Sequence, residues 1–308
     1  MSAPEGKVVF LLGAGRSGST LLELILDSHS QIRGLGELNH LTWYASESES
    51  ESPQVCSYCD GPCSFWNKSV DWRVVRRFYS RTGLFPGLRR SWYRRFSNPF
   101  HFFLRWSDEK ILIDSSKNIR WISRHLSHAK VWGAVRPMVL FLTRDGRAVT
   151  NAVLRKHPQW DMATVARDWK ARMLANKGLF ESLPVERRLQ LAYEDLVADP
   201  ETAARRICDW LQVAYQPGML DYWGHQHHMM AGNIWTRDRV RKFQDSSPLD
   251  SAEQGVMDRS GTAGVEPQVQ GVGLQIVKDE RWRTELSAEN LQTFDQIAGD
   301  LNRAYLSR

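Results

Sequence analysis

A glycine-rich segment near the start of the chain, GAGRSGST at 13–20, has the composition of a phosphate-binding loop. Its glycines permit backbone angles that other residues resist. Between a strand and a helix, such a loop presents several backbone N–H groups and the positive end of the helix dipole to an anion. A plain glycine turn is the alternative, but the hydroxyl residues of the segment favour an anion site.

The segment nearly fits the nucleoside-triphosphatase pattern G-x-x-x-x-G-K-[ST], with Gly13 and Gly18 at the required spacing. Ser19 stands where that pattern has a lysine, the residue that holds the β- and γ-phosphates of a triphosphate. This difference argues against ATP and for a donor with a shorter phosphate chain. Arg16, inside the loop, can supply the positive charge instead.

A second basic residue, Lys117, ends the segment ILIDSSK, which begins as a buried strand. Because ligands of open α/β sheets bind at the carboxyl ends of the strands, we expect Lys117 to meet the same anion as the glycine loop. A surface lysine at the start of the next helix is the alternative. Asp114 in the same segment is alternatively a Mg²⁺-binding residue of a triphosphatase, which the missing loop lysine disfavours.

Three of the four cysteines, Cys56, Cys59 and Cys63, lie close together in the segment CSYCDGPC. A Cys-x-x-Cys pair can ligate zinc, but a structural zinc site needs four ligands. His40 or the remote Cys208 would have to supply the fourth. Reduced structural thiols, a metal site and a disulfide are all compatible with the pattern.

Apolar runs and amphipathic segments supply the elements that must position these residues. Strands are predicted at 8–12, 111–117, 138–143 and 189–192, and helices directly after the glycine loop and at 162–180, 201–213 and about 287–305. This order predicts an α/β fold built on a mostly parallel central sheet flanked by helices. The Ser/Glu run at 45–54 and the polar segment at 244–274 are predicted to be loops.

Length and charge bound the possible classes. A chain of 308 residues buries one large core, so we expect a single domain over 1–308 with an insertion at 42–108. No apolar segment reaches the ~20 residues of a membrane span, and the first residues lack a signal peptide's features, so we expect a cytoplasmic protein. The net charge of +6 suits nucleic acid, an anionic membrane surface or a polyanionic nucleotide as partner.

Arginines and aromatic residues interleave across 72–106, within the predicted insertion. A nucleic-acid face has this composition, with guanidinium groups and rings that stack on bases, and so does a peripheral membrane surface. The simpler interpretation is a helical insertion that buries its rings and leaves its arginines in water. A lid or wall of an acceptor pocket is the remaining alternative.

The segment GRSGSTLL at 15–22 resembles the 5′-phosphosulfate loop of the sulfotransferases that use 3′-phosphoadenosine-5′-phosphosulfate (PAPS). Its continuation through Gly36 and Glu37 is similar to the start of tyrosylprotein and bacterial carbohydrate-type sulfotransferases. The resemblance covers nearly the whole chain in order, most weakly across 42–108 and 244–274. It implies the sulfotransferase fold, organised like a P-loop kinase, with PAPS as co-substrate and adenosine 3′,5′-bisphosphate (PAP) as product.

The resemblance also implies the residues that bind the donor. Those of the loop are Gly15, Arg16, Ser17, Gly18, Ser19, Thr20 and Leu21. Arg144, in the string RDGRA after a predicted strand, resembles the arginine that grips the 3′-phosphate. The family has a serine eight residues later, where this chain has Ala152. Asn151, Arg155 or Lys156 is the candidate substitute.

Two more strings resemble landmarks of the family. Tyr193 opens the string YEDL, whose tyrosine lies near the adenine in sulfotransferases; a helix-capping turn is a compatible interpretation. His227 and His228, with residues 279–282, resemble C-terminal landmarks of bacterial members. The two histidines could bind a metal, but no partners lie nearby in the sequence, so we interpret them as part of a loop.

The resemblance implies catalytic roles for three residues. In the tyrosylprotein branch, the glutamate at the position of Glu37 is the general base, and a lysine at the position of Lys117 supports the transferring sulfuryl group. The cytosolic small-molecule branch has a histidine two residues after its lysine; Ile119 stands there, which favours Glu37 as the base. A carboxylate with a raised pKa in a closed site suits that role. Arg16 and Lys117 would stabilise charge on the departing oxygen.

The predicted reaction is in-line transfer of a sulfuryl group from PAPS to an acceptor hydroxyl, without a metal at the active site. The acceptor is expected to be a small molecule or a carbohydrate, with a peptide tyrosine as a further possibility, and no nucleic-acid partner is expected. A P-loop kinase or triphosphatase is the alternative enzyme. A basic protein that binds nucleic acid or a membrane surface is the alternative outside enzymes, and it leaves the glycine loop unexplained.

Overall fold

The computed structural model describes residues 6–41, 43–44, 55–69, 100–127, 133, 135–245, 274 and 276–306. Within these residues, five parallel strands form one sheet in the order β2-β3-β1-β4-β5. The strands are β1 (Gly6–Gly13), β2 (Ile32–Gly34), β3 (Ile111–Asp114), β4 (Val135–Thr143) and β5 (Arg188–Ala192). The predicted α/β fold with a parallel sheet is confirmed. The short strand β2 was not predicted, because three residues carry too little periodicity to stand out.

The helices predicted directly after the glycine loop and at 162–180, 201–213 and about 287–305 are confirmed, and the described residues contain further helices beside them. Together they are α1 (Ser19–Asp27), α2 (Ser64–Ser69), α3 (Phe100–Trp106), α4 (Ile119–Leu126), α5 (Gly146–Lys156), α6 (Met162–Glu181), α7 (Tyr193–Ala198), α8 (Pro200–Leu211), α9 (Ile234–Asp245), α10 (Trp282–Glu285) and α11 (Ala288–Leu306). A 3₁₀ turn at Leu38–His40 follows β2. The predicted loop at 45–54 and residues 246–273 of the loop predicted at 244–274 lie outside the described residues. Residues 244 and 245 belong to α9, so the predicted start of that loop was wrong.

Strand β1 divides the interior into two cores, because its successive side chains point to opposite faces of the sheet. Val8, Phe10 and Leu12 are buried in one core, where Trp169 of α6 and Phe294 of α11 also pack. The intervening residues of β1 lie in the other core, which α1 and α8 cover. A strand that is apolar on both faces is what a parallel sheet between two helix layers requires.

The described part of the predicted insertion adds α2 and α3 to the first core. Phe100 and Phe103 of α3 are buried there, while Arg105 on the same helix is exposed. Phe100 meets Phe10 of β1 edge to face, with ring centres 5.4 Å apart. The interpretation that this stretch buries its rings and exposes its arginines therefore holds for Phe100, Phe103 and Arg105; residues 70–99 lie outside the described residues. None of the described helices is both long and apolar enough to cross a bilayer.

The strand register brings the predicted functional segments to one edge of the sheet. Gly13 at the end of β1 pairs with Leu142, and Thr143 at the end of β4 pairs with Ala192. From β1 the chain crosses to one side of the sheet, and from β4 it crosses to the other. The carboxyl ends of β1 and β4 therefore border a crevice of the kind in which open α/β sheets bind ligands.

Candidate active site

The glycine loop connects β1 to α1 through two residues in the left-handed region, Arg16 at φ 67° and Gly18 at φ 88°. A side chain at Gly18 would also collide with Tyr193, because a Cβ built there lies 2.4 Å from a ring carbon of the tyrosine. Helix α1 begins at Ser19, and no side chain caps its first turn. The amide groups of that turn are thus available to an anion, as the loop pattern predicted.

Two buried polar groups at this loop lack a partner within the described part of the chain. They are the hydroxyl of Ser17, which is 1 % exposed, and Nε of Arg144. Buried groups of this kind normally have hydrogen bonds. Phosphate and sulfate oxygens would supply the missing acceptors, so the loop fits the donor that the sequence suggested.

Arg144 links the loop to the C-terminal part of the chain. Its Nη1 donates to the carbonyl of Arg16 at 2.7 Å, and its Nη2 to Oδ2 of Asp279 at 3.1 Å. Its guanidinium lies over the ring of Tyr193, 4.3 Å from the ring centre. Burial opposes the ionisation of Asp279, but the hydrogen bond from Arg281 and the charge of Arg144 hold the pKa of Asp279 below its ordinary value. An anion bound by Arg144 would compete with Asp279.

The other predicted 3′-phosphate ligand, Asn151, lies on α5 and donates from Nδ2 to Oε2 of Glu285 at 2.5 Å. The same carboxylate oxygen is 3.7 Å from Nε of Arg155. Two of the three candidate substitutes for the missing serine at Ala152, Asn151 and Arg155, therefore contact an acidic residue of α10. Their role at the 3′-phosphate stays a prediction.

Glu37 and Lys117, two of the residues predicted to be catalytic, are in contact with each other, and the charge of Glu37 acts on Arg16 of the glycine loop. Nζ of Lys117 donates to Oε1 of Glu37 at 2.9 Å and to the carbonyl of Ser115 at 2.5 Å. On its other side, Oε2 of Glu37 is 3.3 Å from Nε2 of His40. The side chain of Lys117 is only 13 % exposed, so the alternative of a surface lysine is wrong.

Glu37 has a lowered pKa, contrary to the raised value expected of it. Burial alone would raise the pKa of Glu37, but the hydrogen bond from His40 and the charge and hydrogen bond of Lys117 outweigh it, and the pKa is about 2. The carboxylate is therefore ionised at neutral pH and carries no proton that would block its use as a base. Its basicity depends on how tightly Lys117 holds it.

Comparison of the sequence with known protein families gives a match. The chain matches the sequence profile described as "Sulfotransferase family" over residues 8–61 and 85–217, which is more than half of its length. The chain belongs to the sulfotransferase family. The predicted enzyme class is thereby confirmed, and PAPS, the sulfuryl donor of this family, is the co-substrate of the enzyme.

Solved structures resemble this sulfotransferase in fold at low sequence identity. The sulfotransferase domain of the curacin biosynthetic pathway is 17 % identical, with a TM-score of 0.54, and the match covers 97 % of this chain and 98 % of that domain. The sulfotransferase domain of the Synechococcus PCC 7002 olefin synthase is 18 % identical, with a TM-score of 0.52 and 96 % of both chains covered. Mouse sulfotransferase SULT7A1 in complex with PAP is 10 % identical at a TM-score of 0.47, with 100 % of this chain and 90 % of that one covered. Comparison with curated protein sequences finds no match.

Glu23 is a residue of the sulfotransferase site that the sequence did not reveal. It lies on α1, fully buried, and its Oε1 accepts a hydrogen bond from the amide of Gly36 at 2.7 Å. Burial raises the pKa of Glu23 to about 8, against the opposing effects of hydrogen bonds from Ser115 and Gly36 and the charge of Lys117. The sign of it in the sequence was a single acidic residue within the apolar run of α1. The prediction of an apolar helix face gave that residue no role.

Asp114 at the end of β3 serves the sulfotransferase as a structural residue. Its Oδ1 accepts from the amide of Ser116 at 2.9 Å, and its Oδ2 from Nε1 of Trp121 at 2.6 Å. Both carboxylate oxygens are thus engaged in fixing the turn that leads to Lys117. This geometry gives no support to the alternative of a Mg²⁺-binding aspartate.

The cysteine cluster of the sulfotransferase gains a partner that the sequence did not indicate. Cys56, Cys59 and Cys63 gather around His228, with the four ligand atoms within 4.8 Å of one another. The sequence-based candidates for a fourth ligand were wrong: His40 faces Glu37, and the thiol of Cys208 points to the sulfur of Met219 at 3.8 Å. The two histidines lie in an irregular segment, as interpreted, and the cysteines that contact His228 lie 165 residues away or more in the sequence.

Proposed function

We propose that this sulfotransferase transfers the sulfuryl group of PAPS in line to an acceptor hydroxyl, with Glu37 as general base. The bond from sulfur to the 5′-phosphate oxygen of the donor breaks, and a bond from sulfur to the acceptor oxygen forms. The acceptor proton goes to Glu37, and the electron pair of the broken bond stays on the PAP that departs. The observation that carries this proposal is the Lys117–Glu37 contact of 2.9 Å beside the glycine loop.

On this proposal, Lys117 and Arg16 stabilise the oxygen that becomes negative as PAP departs. The loop amides and the hydroxyl of Ser17 hold the 5′-phosphosulfate. Arg144 exchanges Asp279 for the 3′-phosphate, with Asn151 next on that side, while Tyr193 lies against the adenine. The unpartnered Ser17 hydroxyl and Arg144 Nε support this arrangement, because both are buried beside the loop.

Lys117 links donor binding to the strength of the base. While Lys117 holds Glu37, the pKa of the carboxylate is about 2, too low for an efficient proton acceptor. When the ammonium group turns toward the donor, burial acts on Glu37 with less opposition and its pKa rises. The base therefore becomes effective only once PAPS is bound.

The proposed acceptor is a hydroxyl group of a small molecule or a carbohydrate, with a peptide tyrosine as the alternative. Purified protein is incubated with PAPS and a panel of alcohols, sugars, phenols and tyrosine peptides, and products are detected by mass spectrometry. We expect at least one acceptor to gain the mass of a sulfuryl group in step with PAP formation. PAP formation without a sulfated product from any acceptor class would contradict transfer to a hydroxyl.

A further inference from the structure

The cluster of Cys56, Cys59, Cys63 and His228 has the geometry of a metal site that the sulfuryl-transfer reaction does not use. The three sulfurs and one ring nitrogen lie within 4.8 Å of one another. Sγ of Cys59 is 3.3 Å and Sγ of Cys63 is 3.4 Å from Nδ1 of His228. We propose that these four residues bind one structural zinc ion.

Two of the sulfur–nitrogen distances agree with tetrahedral zinc coordination. With Zn–S bonds of about 2.3 Å and Zn–N bonds of about 2.0–2.1 Å, a tetrahedron separates sulfur from nitrogen by about 3.5 Å and sulfur from sulfur by about 3.8 Å. The observed sulfur–nitrogen distances of 3.3 and 3.4 Å are close to that separation. Three cysteines and a histidine are a complete ligand set with no position left for water, which is the mark of a structural site rather than a catalytic one.

Neighbouring groups orient the ligands as zinc sites require. The ring of Phe65 stacks on the imidazole of His228, with centres 5.9 Å apart and planes at 10°. Nε1 of Trp66 donates to the carbonyl of His228 at 2.6 Å. The amide of Tyr58 donates to Sγ of Cys56 at 3.5 Å, an interaction that stabilises a thiolate.

Positive charge near the cysteine cluster favours its zinc-bound form. Three thiolates and one Zn²⁺ carry a net charge of −1. Arg33 interacts electrostatically with Cys63, and Arg241 with Cys59. Each guanidinium group also pairs with a carboxylate, Arg33 with Glu109 and Arg241 with Asp60, so the two offset part of the charge that the occupied site would carry.

The zinc ion would stabilise the segment around Met230, which binds the backbone of Glu37. The ligands come from two segments that already pair: the amide of Ser57 donates to the carbonyl of Met229 at 2.9 Å, and Cys56 forms an antiparallel bridge with Met230. The carbonyl of Met230 in turn accepts the amide of Glu37 at 2.8 Å. Zinc at this site joins the cysteine segment to the strand edge beside the proposed base, so its loss should loosen both.

Metal analysis of the full chain, purified without a polyhistidine tag, tests the proposal directly. We expect about one equivalent of zinc per chain, a lower Tm after treatment with a chelator, and recovery of Tm when zinc is returned. Cobalt in place of zinc should give the visible absorption of a tetrahedral thiolate site. Protein without zinc that takes up neither metal, or a disulfide among the three cysteines, would overturn the proposal.

Substitutions separate this site from other thiols. Cys63→Ser and His228→Ala should lose the metal, while Cys208→Ala, which removes the one cysteine outside the cluster, should keep the full equivalent. His228→Cys retains four ligands and should keep zinc, which protects the test if the other two variants fail to fold. Full zinc content in both Cys63→Ser and His228→Ala would contradict the assignment. Because metal content is measured without any acceptor, its outcome is independent of the proposed transfer reaction.

Discussion

Lys117 is the residue on which the proposed chemistry depends most, because it binds the proposed base Glu37, whose charge also acts on Arg16 of the glycine loop. Its residue type and its position after a strand were evident in the sequence, and its partner Glu37 came from resemblance to other sulfotransferases. The low pKa of Glu37 was not predictable, because it arises from His40 and Lys117 in three dimensions. Glu23 was missed for the same reason: its hydrogen bond to Gly36 joins helix α1 to a segment beyond β2.

The buried carboxyl of Glu23 makes stability depend on pH. Its pKa is about 8 in the folded protein and has an ordinary value of 4.5, which applies when the chain unfolds. Between these values the unfolded chain releases the proton while the folded protein keeps it, so the contribution of Glu23 to stability is full below pH 4.5 and is lost as the pH rises through 8. Glu23→Gln has no proton to release and should lose this decline.

Tm measured from about pH 5 to about pH 9 for both proteins checks this prediction. The exposed Glu186 provides a matched control, because Glu186→Gln should keep the wild-type slope. If Glu23→Gln and wild type lose stability in parallel as the pH rises, Glu23 is ionised in the folded protein and the predicted linkage is wrong.

Arg144 should determine affinity for the 3′-phosphate rather than the rate of transfer. A charge-assisted hydrogen bond contributes about 1.5–3 kcal/mol, so Arg144→Ala should weaken PAP binding by roughly 10- to 150-fold. Adenosine 5′-phosphate lacks the 3′-phosphate and should bind the variant about as well as it binds wild type. Isothermal titration with both nucleotides measures the difference.

The exposed Arg120 on α4 serves as the control, since Arg120→Ala removes a similar charge away from β4. Discrimination between the two nucleotides that survives Arg144→Ala would place the 3′-phosphate elsewhere. The departure from the family pattern at Ala152 would then be explained by a different 3′-phosphate site.

At the scale of elements, the junction of β1, the glycine loop and α1 combines two constraints on one residue. Gly18 has a left-handed φ of 88°, and a Cβ there would be 2.4 Å from the ring of Tyr193. Gly18→Ala should therefore displace Tyr193 or the loop, lower Tm, and reduce the rise in Tm that PAP produces. Thermal unfolding with and without PAP measures both effects.

Gly15 in the same loop is the matched comparison for stability. A Cβ at Gly15 has no atom within 4 Å, so Gly15→Ala should leave the Tm of the free protein close to that of wild type. A similar loss of Tm in both variants would mean that neither glycine can be replaced by alanine. The predicted clash with Tyr193 would then not explain the effect at Gly18.

Elements with long, regular patterns were predictable, and contacts between distant segments were not. The apolar runs at 8–12 and 138–143 and the helix over 162–180 were evident because each is buried or amphipathic over its full length. Strand β2 was not predictable because it has only three residues, and the role proposed for His228 was not because it meets the cysteines only in the folded chain. The local sequence pattern indicates where long elements lie, whereas contacts between distant segments depend on tertiary packing.

At the scale of the whole molecule, the sheet gathers the glycine loop, Arg144 and Tyr193 at the carboxyl ends of three adjacent strands. With a net charge of +6, the chain suits a donor with several phosphate charges. A kinase or triphosphatase would prefer ATP in this crevice, whereas a sulfotransferase prefers PAPS or PAP. The loop has Ser19 in place of the lysine that holds a triphosphate, which argues against ATP.

PAP should therefore raise Tm more than ATP with Mg²⁺ at equal concentration. A ligand that binds only the folded state stabilises it by about 2.7 kcal/mol at 100 times its Kd, so a difference in affinity appears directly as a difference in Tm. Adenosine 5′-phosphate controls for binding of the adenosine part alone. An equal or larger shift with ATP and Mg²⁺ would contradict the inference that Ser19 makes the loop unsuited to a triphosphate.

The most direct test of the central claim is a single-turnover measurement of sulfuryl transfer from PAPS to an identified acceptor. Wild type is compared with Glu37→Gln, and titration with PAP checks that both bind the nucleotide equally. Because glutamine cannot take the acceptor proton, we predict that Glu37→Gln keeps its affinity for PAP while the transfer rate falls by ~10²–10⁴. A near wild-type transfer rate in Glu37→Gln would contradict the account and make His40 the next candidate for the base.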